Sequence, residues 1–319
     1  MQTTIKTQLI NQFTALFANA NATRLFFAPG RVNLIGEHTD YNGGNVFPCA
    51  LDIGTYALVR ARTDKLCRFY SINFPQQGVI EFDLDNLEFN SQHNWSNYPK
   101  GVMTEFIKAG AALTHGFEII FFGNIPNGAG LSSSASIEVL MGTILNSYFG
   151  CNFDPIKIAL LGQAAENNYI GVGCGIMDQF ASAMGQANHA ILLDCNTLNY
   201  SYAPLNIAGY KLVIANTNKQ RGLADSKYNE RLAQCRQALA ILQQKLAIKA
   251  LGEIDLAQLE QQANLFSDPL IYQRAHHAVS ENQRTLAAVA ALKANDLIEF
   301  GKLMQASHIS LRDDYAVTG

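Results

Sequence analysis

A run that reads as a buried strand, Phe117–Phe122 (FEIIFF), feeds a glycine- and serine-rich turn from Asn124 to Ser136 (NIPNGAGLSSSAS), and that turn opens a segment with helical period. Ile137, Leu140, Met141, Ile144, Leu145 and Tyr148 fall at i, i+3, i+4, i+7, i+8 and i+11, one apolar stripe. Buried strand, pliable turn and core helix in that order form a cradle for an anion. Glycines let backbone N–H groups converge, and the helix that follows adds its positive end. The turn is not a Walker A loop, because no Gly-Lys-Ser/Thr follows, nor a dinucleotide-binding G-x-G-x-x-G. A capped helix start with a flexible turn is the bland alternative.

The rest of the chain reads as α+β. Met1 to Ala20, with Lys6 as its single cation, has the pattern of an amphipathic helix. Arg24–Ala28, Thr55–Arg62, Leu66–Ser71 and Val79–Phe82 read as strands, Tyr98–Thr114 as a helix, and Asp154-Pro155 as an N-cap with proline at the first helical position. Strands are expected near Ala190–Leu193 and Lys211–Ala215. Helices follow from about Leu223, where Leu232, Cys235, Leu239, Leu242 and Leu246 form a core-facing row.

At ~150 residues per domain, 319 residues predict two lobes. A net charge of −3 without Lys/Arg clusters argues against nucleic acid as a partner, and no segment approaches the ~18 apolar residues of a membrane helix. Cys49, Cys67, Cys151, Cys174, Cys195 and Cys235 are scattered with no C-x-x-C pair, which suits reduced thiols in a cytoplasmic protein. His276 and His277 are adjacent, a spacing that does not make a metal pair on a helix.

Two further segments carry chemistry. Ala28–Gly44 (APGRVNLIGEHTDYNGG) packs Arg31, Asn33, Glu37, His38, Asp40 and Asn42 between glycines while Val32, Leu34 and Ile35 anchor it. Half-buried polar groups need partners, and a polyol supplies many; a polar surface loop with an ion pair is the other reading. Glu166 and then Gly171–Phe180 (GVGCGIMDQF) place a second glycine cluster before Asp178, which also suits a helix-start cap.

Taken together, 28–44 resembles the galactokinase signature, 124–136 the phosphate-binding motif of the GHMP small-molecule kinases, and 171–180 the catalytic-aspartate segment of that superfamily. The resemblance implies an α+β, two-lobed fold of mixed sheets and helices with the active site in the cleft between lobes, 1–198 as the N-terminal lobe and 199–319 as the C-terminal one. It implies a monomeric, cytoplasmic enzyme that phosphorylates galactose at the C1 hydroxyl with ATP and magnesium. Asp178 would be the catalytic base and Arg31 its neighbour toward the γ-phosphate. Glu37, His38, Thr39, Asp40, Gly175 and Tyr228 would hold the sugar. Gly128, Ala129, Gly130, Leu131, Ser132, Ser133 and Ser134 would wrap the phosphates, Ser71 and Trp95 would border the adenine, and Ser134 and Glu166 would hold magnesium. The family's third glycine-rich motif has no counterpart here, so the C-terminal lobe is expected to be incomplete. A non-catalytic galactose-binding homologue and a kinase for N-acetylgalactosamine are the alternative readings.

Overall fold

The computed structural model describes residues 2–126, 128–216 and 224–318. Contacts gather them into two compact units that interleave along the chain. The first comprises Met1–Gly30, Leu51–Val172 and Asp178–Met184; the second comprises Arg31–Ala50, Gly173–Met177 and Gly185–Gly319. The division at 198/199 read from sequence follows the chain, whereas these units follow contacts.

The first unit carries a five-stranded sheet in the order β1-β3-β6-β4-β5. Its strands are β1 (Arg24–Asn33), β3 (Pro48–Ala61), β4 (Leu66–Ser71), β5 (Ile80–Asp83) and β6 (Phe117–Gly123), the ends of β1 and β3 belonging to the second unit. The FEIIFF run is apolar at every position but Glu118 because β6 is central and covered on both faces. Phe117, Ile119 and Phe121 point to a core shared with α2 (Asn97–Lys108) and α3 (Ser133–Phe149), while Ile120 points to α1 (Gln2–Phe17), where Leu9 and Phe13 are fully buried. β6 is antiparallel to β3, pairing Thr55 with Gly123, and parallel to β4, pairing Ser71 with Phe121. Glu118 interrupts the apolar run and is matched by three arginines, Arg60 at 2.6 Å, Arg62 at 3.0 Å and Arg68 at 3.2 Å.

α4 (Pro155–Ala164) starts as its sequence predicts, with the Asp154 carboxylate accepting the Lys157 N–H at 2.7 Å. It widens into a π-turn at Ala165–Ile170, a feature often found at functional sites, and the turn ends at Gly171 with φ +86°. α5 (Met177–Met184) follows.

The second unit holds a small antiparallel sheet, β2 (Asn45–Val46), β7 (His189–Asp194) and β8 (Tyr200–Pro204). Its helices are α6 (Ala224–Leu242), α7 (Leu256–Gln261), α8 (Pro269–Lys293) and α9 (Leu297–Asp313). One core joins Ile35 and Phe47 to Val289 and Leu292 of α8; another joins Cys235 and Leu242 of α6 to Ile271, Ala275 and Val279 of α8. The strand expected at Lys211–Ala215 does not form: no ladder partner meets it among the described residues, and Val213 is 84% exposed. Residues 217–223 lie outside the described residues. No described helix is long and apolar enough to cross a membrane.

Candidate active site

In the first unit the phosphate-type turn is built by conformations that few residues adopt. Gly128 and Gly130 have φ +69° and +71°, and Ser132, the residue before α3, sits at φ +57° without glycine's freedom. A non-glycine residue held there costs about 1–3 kcal/mol and persists when its surroundings over-determine it. Those surroundings are visible: the Ser132 hydroxyl donates to Asp178 Oδ2 at 2.5 Å. The turn is thereby tied to the candidate base, a link the sequence did not reveal. Of the neighbouring serines Ser133 is exposed and Ser134 half-buried, and Ala129 closes the turn through its N–H to the Pro126 carbonyl at 3.2 Å. Leu131 is buried and anchors the loop. Asn127 lies outside the described residues.

Behind Asp178 its neighbour Gln179, fully buried, spans two carboxylates. Its side-chain nitrogen donates to Glu138 Oε2 at 2.9 Å and to Glu166 Oε2 at 2.8 Å. Burial pushes the Glu138 carboxyl well up from its ordinary range, and the negative charges of Glu166 and Asp178 push the same way. Burial and its acidic neighbours thus disfavour the charged form of Glu138, and Glu166 is held by a neutral amide. Ser134 and Glu166 offer hydroxyl and carboxylate oxygens, the hard donors that suit magnesium. Among the described residues no group of three or more His, Cys, Asp or Glu is arranged to hold a metal ion. Magnesium that keeps phosphate and water oxygens needs no such cage, only one or two protein oxygens.

Also in the first unit, Phe121 brings together the two residues expected near the adenine. Ser71 pairs with it across the sheet, and the Trp95 ring packs on it with centroids 5.3 Å apart. The Trp95 indole N–H is buried and finds no acceptor among the described residues. Such a donor costs about 1–3 kcal/mol until an acceptor arrives.

In the second unit a turn carries Glu37 to Asp40. His38 has φ +63°, and its Nδ1 lies 2.8 Å from the Tyr41 hydroxyl, which lies 2.8 Å from that of Tyr315. Its ring packs among Tyr41, Tyr228 and Tyr315. Burial, with the nearby charges of His277 and Arg231, lowers its pKa to about 3, so His38 is neutral at any working pH. The Tyr228 phenol is pushed far up by burial and then by the Asp40 carboxylate, with the Gly175 backbone hydrogen-bonding in the opposite sense. Asp40 lies against Gly175 so closely that a Cβ there would stand 2.1 Å from Oδ2. His38, Asp40, Gly175 and Tyr228 thus form one polar and aromatic neighbourhood, with Glu37 beside His38 in the chain. Thr39 serves it differently: its side chain is fully buried and its hydroxyl donates to the carbonyls of Gly36 (2.8 Å) and Asn45 (2.7 Å). That hydroxyl closes the turn, so it is spent before a sugar arrives. Arg31 belongs to this unit and Asp178 to the first.

Comparison with known proteins agrees with this geometry. The model of the galactokinase galactose-binding signature matches residues 11–61, and that of the GHMP kinase N-terminal domain matches residues 97–186. A galactokinase of Clostridium beijerinckii is 62% identical over 311 residues, which is 98% of this chain and 80% of the relative. The chain belongs to the galactokinase family. The crystal structure of Lactococcus lactis galactokinase complexed with galactose superposes with a TM-score of 0.97 at 48% identity, covering 99% of this chain and 81% of that one. Methanococcus jannaschii mevalonate kinase, at 16% identity and TM-score 0.58, over 93% of this chain and 81% of its own, shares the fold alone. The α+β GHMP-kinase fold expected from the three motifs is therefore the fold of this galactokinase-family chain.

Proposed function

We propose that this galactokinase-family enzyme transfers the γ-phosphoryl group of ATP to the C1 hydroxyl of galactose through the residues just described. The carrying observation is the Ser132–Asp178 hydrogen bond, which ties the one acid of the 171–180 segment to the phosphate-type turn. In the proposed reaction Asp178 accepts the C1 hydroxyl proton, the C1 oxygen bonds to the γ-phosphorus, and the bond from that phosphorus to the β,γ-bridging oxygen breaks to release ADP. Phosphoryl transfer asks a protein for position and charge more than for covalent chemistry. Loop N–H groups at the start of α3 would hold phosphate oxygens, and Arg31 would offset charge that grows in the transition state. Magnesium, held by Ser134 and Glu166, would neutralise phosphate charge.

Neutral His38, the Asp40 and Glu37 carboxylates and the Tyr228 phenol supply both donors and acceptors, which is what a ring of sugar hydroxyls requires. Ser71 and Trp95 would face the adenine side, the unpaired indole N–H being the feature that favours this. The six free cysteines suit a cytoplasmic location. The deciding experiment is a coupled assay of ADP release with galactose, N-acetylgalactosamine and no sugar, on this chain and its Asp178→Asn variant. Galactose-dependent turnover that vanishes in the variant is the expected result; turnover retained without the carboxylate would remove Asp178 from the mechanism.

A further inference from the structure

We infer that α8 is the positioning element of the sugar turn, with His277 and Glu281 fixing the two peptide groups of Glu37 and Asn282 fixing the turn's exit. The inference rests on the reading of Glu37, His38 and Asp40 as sugar ligands.

A turn that passes through φ +95° at Gly36 and +63° at His38 cannot satisfy its peptide groups by pairing in a sheet. Buried peptide groups still need partners. α8 provides them over a sequence separation of more than two hundred residues. Glu281 Oε1 accepts the N–H of Gly36 at 3.0 Å and of Glu37 at 3.3 Å. His277 Nε2 lies 3.0 Å from the Glu37 carbonyl, so that nitrogen carries the proton. Asn282 Oδ1 accepts from the Asn45 backbone N–H at 2.7 Å and from the Asn45 amide at 2.8 Å. Glu37 therefore has its N–H and its C=O both held by side chains two α8 turns or less apart.

The holders are themselves held. Ser307 of α9 donates to Glu281 Oε1 at 2.5 Å, and Arg284 Nε to Oε2 at 2.9 Å. The Asn282 amide donates to the Gly252 carbonyl at 3.0 Å, and the His277 ring lies on Tyr315 with centroids 4.3 Å apart. A wholly buried carboxylate is costly unless its oxygens are fully used, and the Glu281 oxygens are used on the backbone that aims Glu37 and His38. Side-chain packing alone would not need three polar side chains directed at residues 36, 37 and 45. Setting the direction of residues 37–40 does.

The test uses the full chain with His277→Phe, which keeps a ring on Tyr315 and loses the donor, and Glu281→Gln, which keeps an acceptor and loses the charge. Galactose affinity by calorimetry, KM for each substrate, kcat and Tm are measured. Loss of one such hydrogen bond predicts a galactose Kd and KM raised about tenfold, with kcat and the ATP KM within about twofold. Unchanged galactose affinity in a folded variant overturns the inference. So does a parallel loss for both substrates that tracks Tm, since that is what a purely structural role gives. Should His277→Phe not fold, Asn282→Leu, which removes the oxygen that accepts both Asn45 bonds, decides by the same readouts. Glu37→Gln separates the layers: if it leaves galactose affinity unchanged, the reading of the turn as the sugar site fails, and this inference with it.

Discussion

Gly175→Ala is the sharpest perturbation the structure offers. Gly175 does not lie in the left-handed region, so alanine meets no backbone strain there. The added methyl meets Asp40 instead, at 2.1 Å from Oδ2, 2.3 Å from Cγ and 2.7 Å from Cβ. Ordinary contact begins near 3.4 Å, so the carboxylate oxygen must retreat by about 1.3 Å. A misplacement of about 1 Å in a positioning group costs roughly a hundredfold in rate, or about 2.7 kcal/mol. Steady-state kinetics should therefore show kcat/KM for galactose down about a hundredfold with the ATP KM within about twofold. A thermal melt checks the overpacking cost of about 1–3 kcal/mol separately. In an Asp40→Gly background the methyl has room, so the same substitution should add little, a non-additivity expected only of touching residues. Gly175→Ala with unchanged galactose kinetics would refute the reasoning outright.

Asp178→Ala should abolish transfer while calorimetry still detects galactose; retained turnover would reverse the assignment. His38 is held near pKa 3 in the fold against about 6.5 unfolded, so between those values the unfolded chain binds the extra proton. Its contribution to stability is complete above pH 6.5 and drains as pH falls toward 3, with a slope of up to about 1.4 kcal/mol per pH unit. Burial lowers His277 too and pulls the same way. His38→Asn, which tolerates the left-handed conformation, should flatten the acid limb of a urea-melt series; identical slopes would contradict the cited burial. Glu138→Gln keeps an acceptor for the Gln179 amide and removes a charge that burial and Glu166 already disfavour, so activity and Tm should change little. Gln179→Leu, by contrast, removes the donor shared by Glu138 and Glu166 and should raise the magnesium concentration needed for half-maximal activity by about tenfold. Equal magnesium dependence in the two variants would count against the bridge.

The motif residues and most element positions were legible because they depend on short-range pattern. FEIIFF, the stripe from Ile137 to Tyr148 and the Asp154-Pro155 start each state their own secondary structure, and each forms within a residue or two of expectation. The strand at Lys211–Ala215 failed because β-branched composition measures fit to a pleated surface, and no neighbour supplies that surface among the described residues. Thr39 was read by its place in a motif, yet a hydroxyl has one proton, and here the turn claims it. The Gln179 bridge was invisible for another reason: an amide between two acids is informative only once Glu138 and Glu166 are known to be neighbours. His277 and Glu281 sit on a helix with no motif at all, so nothing local marks them. Their meaning lies in Glu37, and only the fold supplies that contact.

The span between Gly36 and Glu281 has a consequence in time. Their hydrogen bond joins residues 245 apart, whereas Ser132 and Asp178 are 46 apart. A ribosome adding ~5–20 residues per second makes the second pair available within roughly 2–9 s, but leaves the first waiting roughly 12–50 s. The nascent chain thus holds Asp178 and the turn tied to it long before the turn at Gly36–Asp40 can take its shape. The helix that holds Gly36 and Glu37 is among the last parts of the chain to be synthesised, although the turn it holds is among the first.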